Sequence, residues 1–146
     1  MNKRISIRRA KERDASSIAT LSGTLGYEVP ARVMRDRLRD VLASEYDLMI
    51  VAISDGVVVG WLQAHSAYII ESGFRVEIVG LIVSPEQRRC GVGRLLVAEA
   101  EQWARNISAE RIVVRSNIQR AESHIFYPAL GYSPTKTQTV YRKELK

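Results

Sequence analysis

The sequence predicts an α/β fold of the mixed, α+β kind, with elements ordered β-α-α-β-β-β-α-β-α-β along a single domain, residues 1–146. Three observations predict it. Apolar runs of strand length recur at residues 48–53, 57–64, 74–83 and 111–115. Around them lie stretches whose apolar residues repeat at helical spacing. The run at 74–83 passes through a short basic, glycine-bearing turn directly into an amphipathic helix.

From the N-terminus, Ile5-Ser6-Ile7-Arg8 alternates as a short strand does. Asp14 is placed to cap a first helix that turns Ile18, Leu21 and Leu25 to one side. Gly26-Tyr27-Glu28-Val29-Pro30 breaks it, and a second helix points Val33, Leu38, Val41 and Leu42 inward. The strands at 48–53 and 57–64 meet through Asp55-Gly56, a dipeptide suited to a tight hairpin. A loop around 71–73 precedes the strand at 74–83. The helix from Gly91 gathers Val92, Leu95, Leu96, Ala100 and Trp103 on one face. A strand at 111–115, a helix over 120–130 and a last strand over 137–143 complete the order, with one more strand entered at Tyr132.

A chain of 146 residues is long enough to bury a real core in one compact domain. Its 46% hydrophobic and 26% charged residues fit an ordinary globular protein. No apolar run approaches the ~18–20 residues of a membrane span, and the N-terminal residues lack the apolar core of a signal peptide. Cys90 is the only cysteine, so no disulfide forms within the chain. These features predict a cytoplasmic protein that does not engage membranes. The net charge of +6 reads either as a solvated basic surface or as attraction for an anionic ligand. Nucleic acid is not the expected partner, because the basic residues are dispersed and no recognised nucleic-acid motif is present.

The turn after residues 74–83 carries the chemistry. Entering a helix there aims free backbone N–H groups at one spot. Gly91 and Gly93 clear side chains from the approach of phosphates, and Arg88, Arg89 and Arg94 surround it with positive charge. A loop for nucleotide hydrolysis needs a Lys-Ser or Lys-Thr pair after its second glycine, where this chain has Arg94-Leu95. A dinucleotide fingerprint needs a third glycine, where Leu96 stands. A third pattern, Gln/Arg-x-x-Gly-x-Gly/Ala, is met by Arg88-Arg89-Cys90-Gly91-Val92-Gly93. Downstream lie Val113-Val114-Arg115-Ser116-Asn117 and then Phe126-Tyr127-Pro128-Ala129-Leu130-Gly131-Tyr132. With that company the chain resembles the GNAT superfamily of N-acetyltransferases over residues 4–145, most closely over 77–132.

The resemblance implies a central mixed β-sheet splayed between its fourth and fifth strands and flanked by four helices. Acetyl-CoA lies in the splay, and coenzyme A leaves as product. Arg88, Arg89, Cys90, Gly91, Val92, Gly93 and Arg94 would hold its pyrophosphate. Backbone groups of Leu81, Ile82 and Val83, exposed by a β-bulge to which Gly80 is suited, would hold the pantetheine arm and polarise the thioester carbonyl. Asn117 would contact the arm or a bound water. Tyr127 matches the tyrosine that protonates the departing sulfur; a phenol, with an ordinary pKa near ~10, still carries its proton at neutral pH. Pro128 departs from the charged residue common after that tyrosine. Glu77 is the candidate base, since holding an amine of pKa ~10 neutral at neutral pH costs about 4 kcal/mol. Val79 and Gly80 stand where some members carry further acids. Tyr27 and Glu28, in the loop between the first two helices, are candidates for walling the acceptor site. No metal is implied.

The reading is therefore an acetyl-CoA-dependent N-acetyltransferase acting on a primary amine by direct transfer in a ternary complex. The compact chain tips the acceptor toward a small molecule. A protein N-terminus or lysine, a peptide amine in either case, is the enzymatic alternative. A non-catalytic acyl-CoA-binding module is the alternative outside enzymes. The family also implies a homodimer through the C-terminal strands.

Overall fold

The computed structural model describes residues 4–88, 90–115 and 121–146. The chain divides into two compact units, Met1–Arg115 and Ser116–Lys146. The first runs β1 (Ile5–Arg9), α1 (Ala15–Gly23), α2 (Ala31–Ala43), β2 (Asp47–Ser54), β3 (Val57–Ile69), β4 (Gly73–Val83), α3 (Val92–Asn106) and β5 (Arg111–Val114). The second holds α4 (Ala121–Ala129). No helix among the described residues is long and apolar enough to cross a membrane.

The five strands form one sheet in chain order, β1-β2-β3-β4-β5. The first four pair antiparallel and β5 joins β4 in parallel. This order follows from the connections. Asp55 and Gly56, both at positive φ (51° and 76°), make the two-residue turn that returns β2 into β3. A parallel neighbour needs a crossover, and α3 supplies it between β4 and β5.

Alternation along the strands gives the sheet two apolar faces. On one, Met49 and Val51 of β2 pack with Ala10, Ala15, Ile18 and Leu38, so α1 and α2 lie there, with Trp61 of β3 against the same cluster. On the other, Gly60 of β3 lies against Val92 and Leu96 of α3, which with Val97 and Ala100 are fully buried. A Cβ on Gly60 would come within 3.1 Å of Val92, so the absent side chain sets how closely α3 approaches.

Several expectations are corrected. Asp14 precedes α1, but its side chain accepts no capping hydrogen bond from it. Its carboxylate accepts instead from the Lys11 N–H (2.7 Å) and from Arg8 (2.8 and 3.0 Å) at a 3-10 turn, Glu12–Asp14. Leu42 and Leu95 are exposed, at 37% and 39%. Each sits at the margin of its helix's apolar stripe, where Leu38 and Leu96 occupy the centre. The strands expected at Tyr132 and over 137–143 do not form: residues 133–146 have no regular structure. Val140 and Tyr141, 82% and 91% exposed, are adjacent and would point to opposite sides of a strand. That segment therefore offers no single apolar face to bury.

Candidate active site

The pairing of β4 sets up the site. From Gly73 to Ile78 and again from Gly80 to Val83, β4 is in register with β3, but Gln63 pairs with Gly80 while Ala64 pairs with Ile78. Val79 is thus the extra residue of a β-bulge. The bulge shifts the phase of β4, so that Glu77 shares a sheet face with Gly80 rather than with Leu81. Trp61 packs over Gly80, and a Cβ there would fall 2.7 Å from its ring. Glycine is required at this point by contact.

β5 accompanies β4 only from Arg75 to Ile78. Beyond that, residues 79–83 have no strand partner on the β5 side among the described residues. Five residues at ~3.3 Å each leave an open edge of about 16 Å. Leu81, Ile82 and Val83 lie on it, with the Ile82 side chain buried in the core. A side chain committed inward and a backbone edge left open are compatible, because the two point in different directions.

At the end of that edge the chain makes a 3-10 turn (Pro85–Gln87) and enters α3. The Ser84 hydroxyl donates to the Glu86 carboxylate and holds it below the usual carboxylate range. Gly91 takes the N-cap position at φ 81°, ψ 9°, a left-handed conformation that disfavours any side chain. No side chain caps α3, and its first helical hydrogen bond is Leu95 N–H to Gly91 O (3.0 Å). The first-turn N–H groups of Val92, Gly93 and Arg94 therefore point out of the helix end. Val92 is buried, so only its backbone faces the turn. Arg94 follows, with Arg88 and the exposed Cys90 before it. Arg89 lies outside the described residues, as do Asn117 and Arg120.

Glu77 stands two residues before the bulge, its side chain 17% exposed and held by arginines. Arg115 Nη1 donates to both carboxylate oxygens (2.9 and 2.7 Å), and Arg75 Nη2 lies 3.4 Å from Oε1. Register continues the row: Glu77 pairs with Val113 on one side and with His65 on the other, and His65 pairs with Asp47. His65 Nδ1 is 3.0 Å from the Asp47 carboxylate. Sequence reading missed Arg75, Arg115 and the Asp47–His65 pair. Strand register alone brings them beside Glu77, and no local motif signals it. Among the described residues no group of three or more His, Cys, Asp or Glu could hold a metal ion.

Tyr27 and Glu28 lie in the exposed loop between α1 and α2, which turns at Gly26 (φ 84°). In the second unit, Tyr127 lies on α4 between two aromatic neighbours. Its ring meets Phe126 edge-on at 4.9 Å and Tyr132 at 5.8 Å. Pro128 lies inside the helix and carries no N–H for the turn before it. The chain then closes back, with the N–H groups of Leu130 and Tyr132 both donating to Tyr127 O.

Comparison with known proteins agrees with this fold. The model of the Acetyltransferase (GNAT) family matches residues 12–132. The chain is 30% identical over 128 residues to an aminoalkylphosphonate N-acetyltransferase of Salmonella typhimurium, covering 86% of this chain and 83% of the relative. It is 27% identical over 112 residues to an aminoglycoside N(6')-acetyltransferase type 1 of Acinetobacter haemolyticus, covering 74% and 77%. Among solved structures, the aminoglycoside N-acetyltransferase AAC(6')-Iy in complex with CoA superposes with a TM-score of 0.87 at 21% identity, covering 98% of this chain and 97% of that one.

Proposed function

The chain belongs to the acetyltransferase (GNAT) family and is an acetyl-CoA-dependent N-acetyltransferase, and on that premise we propose that it acetylates a primary amine of a small molecule by direct transfer in a ternary complex. The observation that carries the site assignment is the open edge of β4 beyond Ile78, running from the bulge at Val79 toward an uncapped helix N-terminus. The donor's thioester supplies an activated acetyl group. Backbone groups of Leu81, Ile82 and Val83 bind the pantetheine arm as an added strand would, and polarise the thioester carbonyl. The N–H groups of Gly91, Val92, Gly93 and Arg94 take the pyrophosphate, and Arg88, Arg89 and Arg94 offset its charge. Cys90 belongs to the same turn, where its N–H donates to the Gln87 carbonyl (3.2 Å), and its part in the coenzyme site is to shape that turn.

Glu77 receives the proton of the acceptor amine, directly or through water, and Tyr127 gives one to the departing sulfur. The edge-on contacts with Phe126 and Tyr132 support a fixed phenol ring. Asn117 contacts the coenzyme arm, and Tyr27 and Glu28 wall the acceptor side. In this reading residues 1–146 act as one N-acetyltransferase domain, supported by a family match that runs across both compact units. The enzyme is cytoplasmic, as suits an exposed free cysteine. It is also a homodimer by family analogy, which sedimentation at micromolar concentration tests.

The test of the proposal is calorimetric titration with acetyl-CoA, with NAD and ATP as controls, followed by free-thiol release against a panel of amines. Saturable binding of acetyl-CoA alone and turnover of a small amine are the expected results. Binding without turnover of any amine would return the chain to a non-catalytic acyl-CoA-binding role. Turnover of peptides but not of small amines would overturn the acceptor class.

A further inference from the structure

The two relatives compared above name acceptors of opposite electrostatic character. An aminoglycoside carries several ammonium groups, whereas an aminoalkylphosphonate carries an ammonium and an anion on one short chain. The charges around Glu77 discriminate between them. A polycation needs several carboxylates facing it. Here a single carboxylate, Glu77, lies between the guanidinium groups of Arg75 and Arg115. Val79 and Gly80, the next residues of β4 after Ile78, add no acid. Asp47 is engaged with His65, and Arg111, in register with Arg75, donates to the carbonyl of Ser72. Among the described residues, the side chains that hydrogen-bond Glu77 are therefore both cationic.

Arg115 has capacity to spare. It contacts Glu77 through Nη1 alone, while a guanidinium has five N–H donors in a planar fork. Its side chain is 59% exposed, and it follows directly on β5 where β5 parts from β4. A carboxylate and an accessible guanidinium touching each other form a two-part receptor. One part takes an ammonium and the other takes a phosphonate, phosphate or carboxylate, which guanidinium binds in bidentate fashion.

Resting on the acetyltransferase reading, we propose that the acceptor is an amino-anion: a small primary amine bearing an acidic group a short aliphatic spacer away. The ammonium end displaces Arg115 from part of Glu77 and is deprotonated there. The anionic end is held by the freed face of Arg115, with Arg75 behind it. Arg115 is thus a specificity residue for the acceptor. A polycationic amine meets two like charges at the same place.

The experiment compares kcat/KM, read as free-thiol release from acetyl-CoA, for four acceptors. They are 2-aminoethylphosphonate, β-alanine, n-propylamine and a polycationic aminoglycoside. The native enzyme is expected to prefer at least one amino-anion over n-propylamine by tenfold or more, and over the aminoglycoside by at least as much. Which amino-anion leads distinguishes phosphonate from carboxylate recognition. In Arg115→Gln the ratio of amino-anion to n-propylamine should fall at least tenfold, and Arg115→Lys should restore part of it. A native enzyme that prefers n-propylamine or the aminoglycoside overturns the proposal and leaves the acetyltransferase reading intact. So does a ratio that Arg115→Gln leaves unmoved. Absence of acetyl-CoA binding, with no thiol release from any amine, overturns both.

Discussion

Two single residues show how local chemistry holds the site's scaffold. Asp14 is 5% exposed, and the hydrogen-bonded Arg8 guanidinium, aided by the Lys11 N–H, keeps its carboxyl below the usual carboxylate range despite burial. A depressed folded-state pKa means the unfolded chain binds more protons as acid is added. The pair's stability is therefore complete above the ordinary Asp value of ~3.9 and lost as pH falls through the lower folded value. Asp14→Asn should cost about 2 kcal/mol near neutral pH, by leaving Arg8 and Lys11 poorly paired. The difference from the native protein should shrink in strong acid, as urea titrations at several pH values would register. Gly80 is held by contact instead. A Cβ 2.7 Å from the Trp61 ring cannot be accommodated without moving a side chain packed on the core below α1 and α2. Gly80→Ala should destabilise by about 1–3 kcal/mol and lower activity by shifting the bulge. Adding Trp61→Leu should recover part of that stability; fully additive losses in a double-mutant cycle would contradict the contact argument.

Among elements, the β4–turn–α3 unit carries most of the proposed coenzyme contacts, and its parts were unequally legible. Residues 74–83 read as a strand and Gly91 as a helix entry because both patterns are local: an apolar run, then a glycine before a helical repeat. The left-handed conformation of Gly91 adds a second reason for that glycine. Gly91→Glu should abolish measurable acetyl-CoA binding by calorimetry, since it fills the phosphate approach, adds like charge and strains the backbone; retained micromolar affinity would remove the turn from the coenzyme site. On α4, Tyr127→Phe should lower kcat by ~10²-fold, within the usual range for general acid–base catalysis, with little change in KM for acetyl-CoA. The partners of Glu77 were not legible. Arg115 lies 38 residues from it in sequence, and a bulge at Val79 decides which face Glu77 occupies. Non-local register carries that information, and no sequence window contains it. The strand expected over 137–143 fails for the opposite reason: Val140 and Tyr141 have local strand propensity, but as adjacent residues they offer no single apolar face to bury.

For the molecule as a whole, the net charge of +6 had two readings, a solvated basic surface or attraction for an anionic donor, and ionic strength separates them. Coenzyme A carries its charge on a pyrophosphate and a 3′-phosphate, so a steering field would act on association and be screened by salt. The Debye length falls from ~30 Å at about 0.01 M to ~8 Å at about 0.15 M salt, comparable first with a small domain and then with one side-chain contact. If the basic surface steers the donor, KM for acetyl-CoA should rise several-fold over that range while kcat changes little. An acetyl thioester of pantetheine, which lacks the phosphates, controls for salt effects on the protein itself and should show no such rise. A KM for acetyl-CoA that is flat in salt would confine recognition to the turn at Arg88–Arg94 and leave the remaining positive charge as solvated surface. A rise shared by both donors would instead indicate that salt perturbs the open β4 edge, where the two donors present the same arm.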